Sequence, residues 1–230
     1  MKDILKKIYR KQDIEKISSK INMLGDTKLD ALTFLNHQLL LTLLLVLVLV
    51  LFTNISYILI PFLAIIFYAL YYYLMITYPL NKRTKKLDHE ALYFFEVLTL
   101  TLESGRNLEK SIEITIDNVE GELSSEFRKC LVEVRYGKSL IEAIDYMKKR
   151  IPSETINNIL LNITQTKIFG NSIVDVMYSQ VEYLREKQTL EVKGAINKIP
   201  NKISIVSVVF IIPLILLIIL GPILIQFLKQ

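Results

Sequence analysis

The sequence predicts an all-α membrane protein, with three transmembrane helices and a six-helix cytoplasmic bundle built from three helical hairpins. Three observations lead to this fold class. The stretches from Ala31 to Asn81 and from Ile203 to Leu228 contain no Asp, Glu, Lys or Arg. Between them apolar residues recur at helical spacing, and one glycine-containing phrase occurs three times.

The charge-free stretches set the number of membrane spans. A bilayer core requires about 20 apolar residues per helix, so the first stretch holds two spans and the second holds one. We expect spans near Leu32–Phe52, Ile55–Ile76 and Ile203–Phe227. The chain then divides into a basic amphipathic helix (1–30), a transmembrane hairpin (31–80), a helical domain (81–202) and a last span (203–228). Spans without Asp, Glu, Lys or Arg argue against a proton or ion pathway.

The basic residues predict the orientation. Residues 1–30 carry 8 Lys and Arg and residues 81–202 carry 19, whereas the hairpin tip carries none and only Lys229 follows the last span. By the positive-inside rule the N-terminus and the 81–202 domain are cytoplasmic and the C-terminus lies outside. We therefore expect a multi-pass protein of the cell membrane. The small basic excess is best explained by membrane lipids, and no pattern of basic and aromatic residues predicts nucleic-acid binding.

The first 30 residues contain one predicted helix, over residues 3–24. Ile14, Ile17, Ile21 and Leu24 recur at helical spacing with lysines between them. Such a basic amphipathic helix can lie on the membrane surface or pack on the cytoplasmic domain. The sequence leaves both alternatives open.

The repeated phrase predicts three helix-to-helix turns. In each copy a glycine ends one helix in the left-handed conformation, and two residues later an Asn or Ser caps the next helix. In two copies an acidic residue follows at the third helical position, as in a capping box. The predicted cap residues are Gly105, Asn107, Gly137, Ser139, Glu142, Gly170, Ser172 and Asp175.

These turns divide the domain into six helices. Apolar stripes at helical spacing support each helix, for example Phe94, Phe95 and Leu98 in the first. The expected ranges are about Asp88–Ser104, Leu108–Asn118, Glu122–Tyr136, Leu140–Arg150, a helix from Ser153, and a long helix from Ile173 to a break at Pro200.

No residue pattern predicts catalysis, a cofactor or a metal site. Gly137-Lys138-Ser139 spells the end of a phosphate-binding loop, but that motif needs a glycine where Val132 stands in a helical stripe. The chain has two histidines and one cysteine, Cys130, and their positions give no metal-ligand spacing. We expect Cys130 to be a buried, reduced thiol.

The chain resembles the type II secretion F family, whose members are polytopic platform proteins of secretion and type IV pilus machines. It is most similar to the single-domain TadB and TadC type, which serves Tad (Flp) pilus assembly. The resemblance covers about residues 60–228. It is carried by Glu103-Ser-Gly-Arg-Asn-Leu, Tyr136-Gly-Lys-Ser-Leu-Ile-Glu-Ala-Ile, Phe169-Gly-Asn-Ser-Ile, Tyr183-Leu-Arg, Asn197-Lys-Ile-Pro-Asn-Lys, Ile211-Ile-Pro and Leu220-Gly-Pro.

The resemblance implies a non-enzymatic platform in the inner membrane. It implies three kinds of partner: a cytoplasmic hexameric secretion ATPase, pilin-like subunits, and either a sister platform protein or further copies of this chain. From the exposed positions of basic residues we expect Lys138, Lys148, Lys149 and Arg150 to contact a partner.

Two alternatives belong to other functional classes. A membrane-tethered helical-repeat adaptor unrelated to pili fits the period of 32 and 33 residues, but the chain has no Trp and lacks the tetratricopeptide pattern. A membrane-embedded hydrolase or transporter is disfavoured because the spans lack charge and no nucleophile–base set is present.

Overall fold

A computed structural model describes residues 11–25, 30–52, 59–169 and 172–228. These residues form nine α-helices and no strand, which confirms the predicted all-α class. The helices are α1 (Lys11–Asn22), α2 (Ala31–Phe52), α3 (Leu59–Tyr72), α4 (Tyr78–Glu103), α5 (Leu108–Asn118), α6 (Glu122–Arg135), α7 (Leu140–Lys148), α8 (Glu154–Phe169) and α9 (Ile173–Leu228).

Among the residues that the structure describes, two helices are long and apolar enough to cross a membrane. They are Ala31–Leu51, within α2, and the continuous helix Leu59–Glu103, which contains α3 and α4. Their apolar side chains are widely exposed, as Leu43 and Phe62 show at 62% and 63%. Helix α9 contains a shorter apolar stretch, Ser207–Leu220. A third span over 203–228 stays a prediction.

The helix from the hairpin into the domain has no break. A single π-helical turn, Tyr73–Thr77, joins α3 directly to α4. The expected helix start near Asp88 is therefore wrong. Residues 78–87 contain no glycine, and Pro79 occupies the first turn of α4, where a missing N–H costs little. Residues 78–87 therefore continue the helix that begins in the hairpin.

The expected break at Pro200 is also wrong, because α9 is one helix from Ile173 to Leu228. Proline inside a helix removes one hydrogen bond, and it can bend a helix without ending it. The chain divides after Val181, within α9, into two compact units.

The apolar stripes predicted for the domain form its core. Phe94 and Phe95 of α4 are fully buried, and Phe127 of α6 stacks on Phe94 with ring centroids 4.5 Å apart. Ile144 of α7 and Ile159 of α8 are also buried. Full burial of one such side chain contributes about 1.5–3 kcal/mol to folding, so these residues dominate the stability of the domain.

Helix α1 packs its apolar side on the helical hairpin. Ile21 is buried with Phe34 and Leu35 at the start of α2 and with Ile76 in the π-helical turn. Phe34 stacks on Tyr71 with ring centroids 5.6 Å apart. This packing fixes α1 beside the N-terminal end of α2 and the C-terminal end of α3.

Candidate interaction surface and the charge network behind it

The first two repeats of the glycine phrase form capped turns. Gly105 and Gly137 have φ of +80° and +98°, a conformation that favours glycine. Asn107 Oδ1 accepts a hydrogen bond from Lys110 N at 2.8 Å and so caps α5. At both turns four residues separate the two helices, and within them the phrase ends one helix and caps the next.

Helix α7 begins with a complete capping box. Ser139 Oγ accepts from Glu142 N at 3.2 Å, and the Glu142 carboxylate accepts from Ser139 N at 3.0 Å. These hydrogen bonds from Ser139 hold the pKa of Glu142 below its ordinary value. At the third repeat Ser172 Oγ accepts from Asp175 N at 3.4 Å, while Gly170 lies outside the described residues.

Helix α6 is capped by a side chain from another helix, which sequence reasoning missed. Glu90 of α4 accepts from Leu123 N at 2.9 Å. Gly121 has φ of +154°, and a Cβ there would lie 2.7 Å from Glu90 Oε2. In the fold, glycine is needed there so that the carboxylate can reach the first turn of α6.

Behind the second repeat lies a charge network formed by Arg83, Glu122, Glu126, Glu133 and Arg150. Its centre is Glu126 on α6, whose side chain is 3% exposed. One oxygen of Glu126 accepts from Arg83 at 3.1 Å, and the other accepts from Arg150 Nε at 3.0 Å. Lys129 also reaches this carboxylate, at 3.2 Å. A buried carboxylate requires such pairing, because desolvation of an unpaired charge costs several kcal/mol.

Arg83 connects four segments of the chain through this network. Besides Glu126 it pairs with Glu122, and it donates to the carbonyl oxygens of Met23 and Arg150. It thereby joins α4, the start of α6, the turn after α1 and the segment after α7. Arginine suits this role because its planar guanidinium offers five donors in a fixed geometry.

The outer end of the network reaches the surface at Glu133. This carboxylate accepts from Arg150 at 2.7 Å and from Lys138 at 2.9 Å. Partial burial alone would raise the pKa of Glu133, but the hydrogen bonds from Lys138 and Arg150 outweigh it and hold the pKa below its ordinary value. Glu133 therefore stays ionised and fixes both cations.

Lys138, Tyr146 and Lys149 form one exposed cluster, here called the basic surface. Lys138 Nζ lies 3.7 Å and Lys149 Nζ 5.0 Å from the centroid of the Tyr146 ring, within the range of cation–π contacts. The Tyr146 side chain is 46% exposed. An aromatic ring flanked by two cations can bind an acidic partner through both apolar contact and charge.

The structure separates the four predicted contact residues. Lys138 and Lys149 lie together on the basic surface, whereas Arg150 points into the charge network and is about one quarter exposed. Lys148 pairs with Asp145 at 3.1 Å. The Lys138 side chain also pairs with Glu133, but it is 40% exposed, whereas that of Lys148 is 25% exposed. The charges that a partner can reach at this site are therefore mainly those of Lys138 and Lys149.

The described residues were compared with the requirements of a metal site, and the one cysteine with those of a reactive thiol. Within the described ranges no group of three or more His, Cys, Asp or Glu could hold a metal ion. Cys130 is fully buried on α6, and its burial raises the pKa of the thiol to about 11. This thiol is therefore neutral at neutral pH, and its burial agrees with the expectation from the sequence.

Comparison with known protein families shows which family the helical domain belongs to. The sequence model of the family "Type II secretion system (T2SS), protein F" matches residues 94–221, more than half of the chain. The chain belongs to this family. A search of curated proteins and a search of solved structures each gave no match.

Members of the type II secretion F family are membrane platform proteins and are generally not enzymes. In this F-family protein the matched region runs from the middle of α4 into α9 and contains the basic surface, Glu126 and Arg150. Arg83 and Glu90 lie before it. The family suggests an inner-membrane protein, in agreement with the two apolar helices.

Proposed function

We propose that this protein is the inner-membrane platform of a type IV (Tad or Flp-like) pilus or type II secretion machine, of the TadB and TadC type. In this role it couples a cytoplasmic secretion ATPase to the assembly or export of pilin-like subunits. The observation that carries the proposal is the family match over residues 94–221.

The proposed topology has three spans. The N-terminus and the six-helix domain of residues 81–202 lie in the cytoplasm, and the C-terminus lies outside. The distribution of basic residues supports this orientation, because 27 of the 28 Lys and Arg precede the last charge-free stretch. The domain then faces a cytoplasmic motor.

Rigid connections support a role in passing motion. The helix Leu59–Glu103 extends from the hairpin into the centre of the domain. Arg83 of the charge network locks this helix to α6 and to the turn after α1. A force applied to the domain therefore reaches the hairpin through one continuous helix and a buried network.

We assign the ATPase contact to the basic surface, with an acidic patch on the ATPase as its partner. Lys138 and Lys149 supply the charge, and Tyr146 supplies exposed apolar area. Lys148 and Arg150 contribute less directly, because their side chains are only about one quarter exposed, whereas Lys138 is 40% exposed despite its pair with Glu133.

The test of the platform role is co-purification of the detergent-solubilised protein from its native cells. We expect a hexameric secretion ATPase and a pilin-like subunit in the complex, together with a sister platform protein or further copies of this chain. Recovery of the intact protein with neither ATPase nor pilin, from cells that assemble the machine, contradicts the proposal.

The test of the basic surface uses charge reversal. Lys138→Glu combined with Lys149→Glu is expected to weaken ATPase binding at least tenfold, because two attractive contacts become repulsive. Lys110→Glu on α5 is the matched control, since Lys110 is similarly exposed and also pairs with a glutamate. Arg150 is left intact, because its reversal would place a second negative charge beside Glu126. Equal binding by the double variant and the control refutes this assignment.

A further inference from the structure

A cavity of about 420 Å³ lies between α1 and the hairpin formed by α2 and α3. This volume is within the range of small-ligand sites. Its polar lining comes from all three helices: Lys16, Ser19 and Lys20 of α1, Gln38 of α2, and Tyr68 and Tyr72 of α3. None of these residues takes part in the basic surface or the charge network.

The lining carries a net positive charge. Lys16 and Lys20 are four residues apart on α1, so they project from the same side of the helix. Lys20 Nζ donates to Tyr72 Oη at 2.9 Å, which holds it at the cavity. Asp13 is the one carboxylate among the described lining residues, against these two lysines. The cavity therefore attracts an anion.

Gln38 adds an unsatisfied acceptor to the lining. Its side chain is fully buried, and its Nε2 donates to the carbonyl oxygen of Tyr68 at 3.1 Å. Within the described residues Gln38 Oε1 accepts no hydrogen bond. A buried acceptor without a donor costs about 1–3 kcal/mol, so a ligand that offers a hydroxyl group relieves this cost.

The cavity lies at the edge of the apolar hairpin. Tyr68 and Tyr72 belong to the group of tyrosines near the end of α3, and the first charged residue after them is Lys82. Tyrosines of this kind mark the level of the lipid head groups. A ligand with an anionic head and apolar tails can therefore enter the cavity from the membrane.

We propose that this cavity binds the head group of an anionic phospholipid that carries a hydroxyl donor, the chemistry of phosphatidylglycerol. Lys16 and Lys20 hold the phosphodiester, and a glycerol hydroxyl donates to Gln38 Oε1. The inference rests on the proposed function in one respect, since it requires the hairpin to cross the membrane. It adds a specific lipid site that also fastens α1 to the hairpin.

The test is native mass spectrometry of the full chain in detergent with added lipid. The probes are phosphatidylglycerol and phosphatidylmethanol, which carry the same charge but differ in the head-group hydroxyl. We expect wild type to retain phosphatidylglycerol at least threefold better. Lys16→Gln is expected to lower its affinity for phosphatidylglycerol about tenfold, the loss of one charge-assisted hydrogen bond. The control Lys11→Gln changes a lysine of α1 that does not line the cavity, and it is expected to change the affinity less than twofold.

A second variant tests the hydroxyl contact. Gln38→Met keeps the side-chain size, and it is expected to remove the preference for phosphatidylglycerol over phosphatidylmethanol while retaining binding of both. If Lys11→Gln and Lys16→Gln lower the affinity equally, general surface charge explains the binding and the site is refuted. Glycerol 3-phosphate that competes as tightly as the lipid would also overturn the assignment, because the ligand would then be soluble.

These outcomes are separate from those of the ATPase test. A protein that co-purifies with the ATPase but does not discriminate the two lipids refutes only the lipid site. A protein that discriminates the lipids but recovers neither ATPase nor pilin refutes only the platform role.

Discussion

Glu126→Gln is expected to destabilise the cytoplasmic domain by about 3 kcal/mol. Glu126 is buried and accepts from three cations, Arg83, Arg150 and Lys129. Removing one partner of a buried ion pair costs about 3–5 kcal/mol. We take the lower end of this range, because in the variant Arg83 still pairs with Glu122 and Arg150 still pairs with Glu133. Glutamine keeps the size of the side chain, so the change isolates the charge.

Cys130 provides the assay, because it is the only cysteine in the chain and is fully buried on the same helix as Glu126. A thiol reagent reaches it only when the domain opens, so the labelling rate follows the population of the open form. A loss of 3 kcal/mol corresponds to about a hundredfold faster labelling of the full-length protein in detergent.

The matched control for Glu126→Gln is Glu133→Gln. Glu133 bonds Lys138 and Arg150 at the surface end of the network and is about one fifth exposed. Glu133→Gln should lower the free energy of unfolding by about 1 kcal/mol, which corresponds to about fivefold faster labelling of Cys130. A change below threefold for Glu126→Gln, or a larger effect from Glu133→Gln, refutes the view that the buried centre of the network holds the domain together.

Three further predictions concern the second repeat and the thiol. Gly137→Val should lower the free energy of unfolding by about 1–2 kcal/mol in the same labelling assay, because the backbone at Gly137 has φ of +98°, which a β-branched residue adopts only with strain. Lys138→Ala should leave the fold intact and lower the free energy of unfolding by less than about 1 kcal/mol, because it removes only an exposed ion pair. Ser139→Ala should cost about 1 kcal/mol through loss of the capping box, measured by thermal unfolding in circular dichroism. The raised pKa of Cys130 contributes stability that is fully present below its unfolded pKa, near 9, and lost as pH rises towards 11. Thermal unfolding should therefore show wild type losing stability relative to Cys130→Ala over that range, and parallel curves would contradict the burial of this thiol.

Local signals predicted most of the helical domain. The predicted bounds Leu108–Asn118 agree with α5, and the predicted starts at Glu122, Leu140 and Ile173 agree with those of α6, α7 and α9. These signals act within one turn of helix, so a sequence displays them directly. The apolar stripes likewise mark their buried faces, because a stripe needs only helical spacing.

Contacts between distant residues could not be predicted. No local pattern in the sequence marks Arg83, because its glutamate partners are 39 and 43 residues away. Glu90 caps a helix that begins more than 30 residues later. Arg150 was placed on the surface because arginine usually lies there, but two buried or half-buried glutamates hold it inside. Such pairings depend on how the helices pack, which local spacing does not specify.

The most direct test of the central claim is site-specific photocrosslinking from position 146 in growing cells. A photoreactive phenylalanine derivative replaces Tyr146, the exposed ring of the basic surface, and the exposed Tyr93 on α4 is the control position. We expect a covalent product with a secretion ATPase from position 146, in larger yield than from position 93. If neither position yields the ATPase in cells that assemble the machine, this domain does not dock the motor through the basic surface, and the proposed role is refuted.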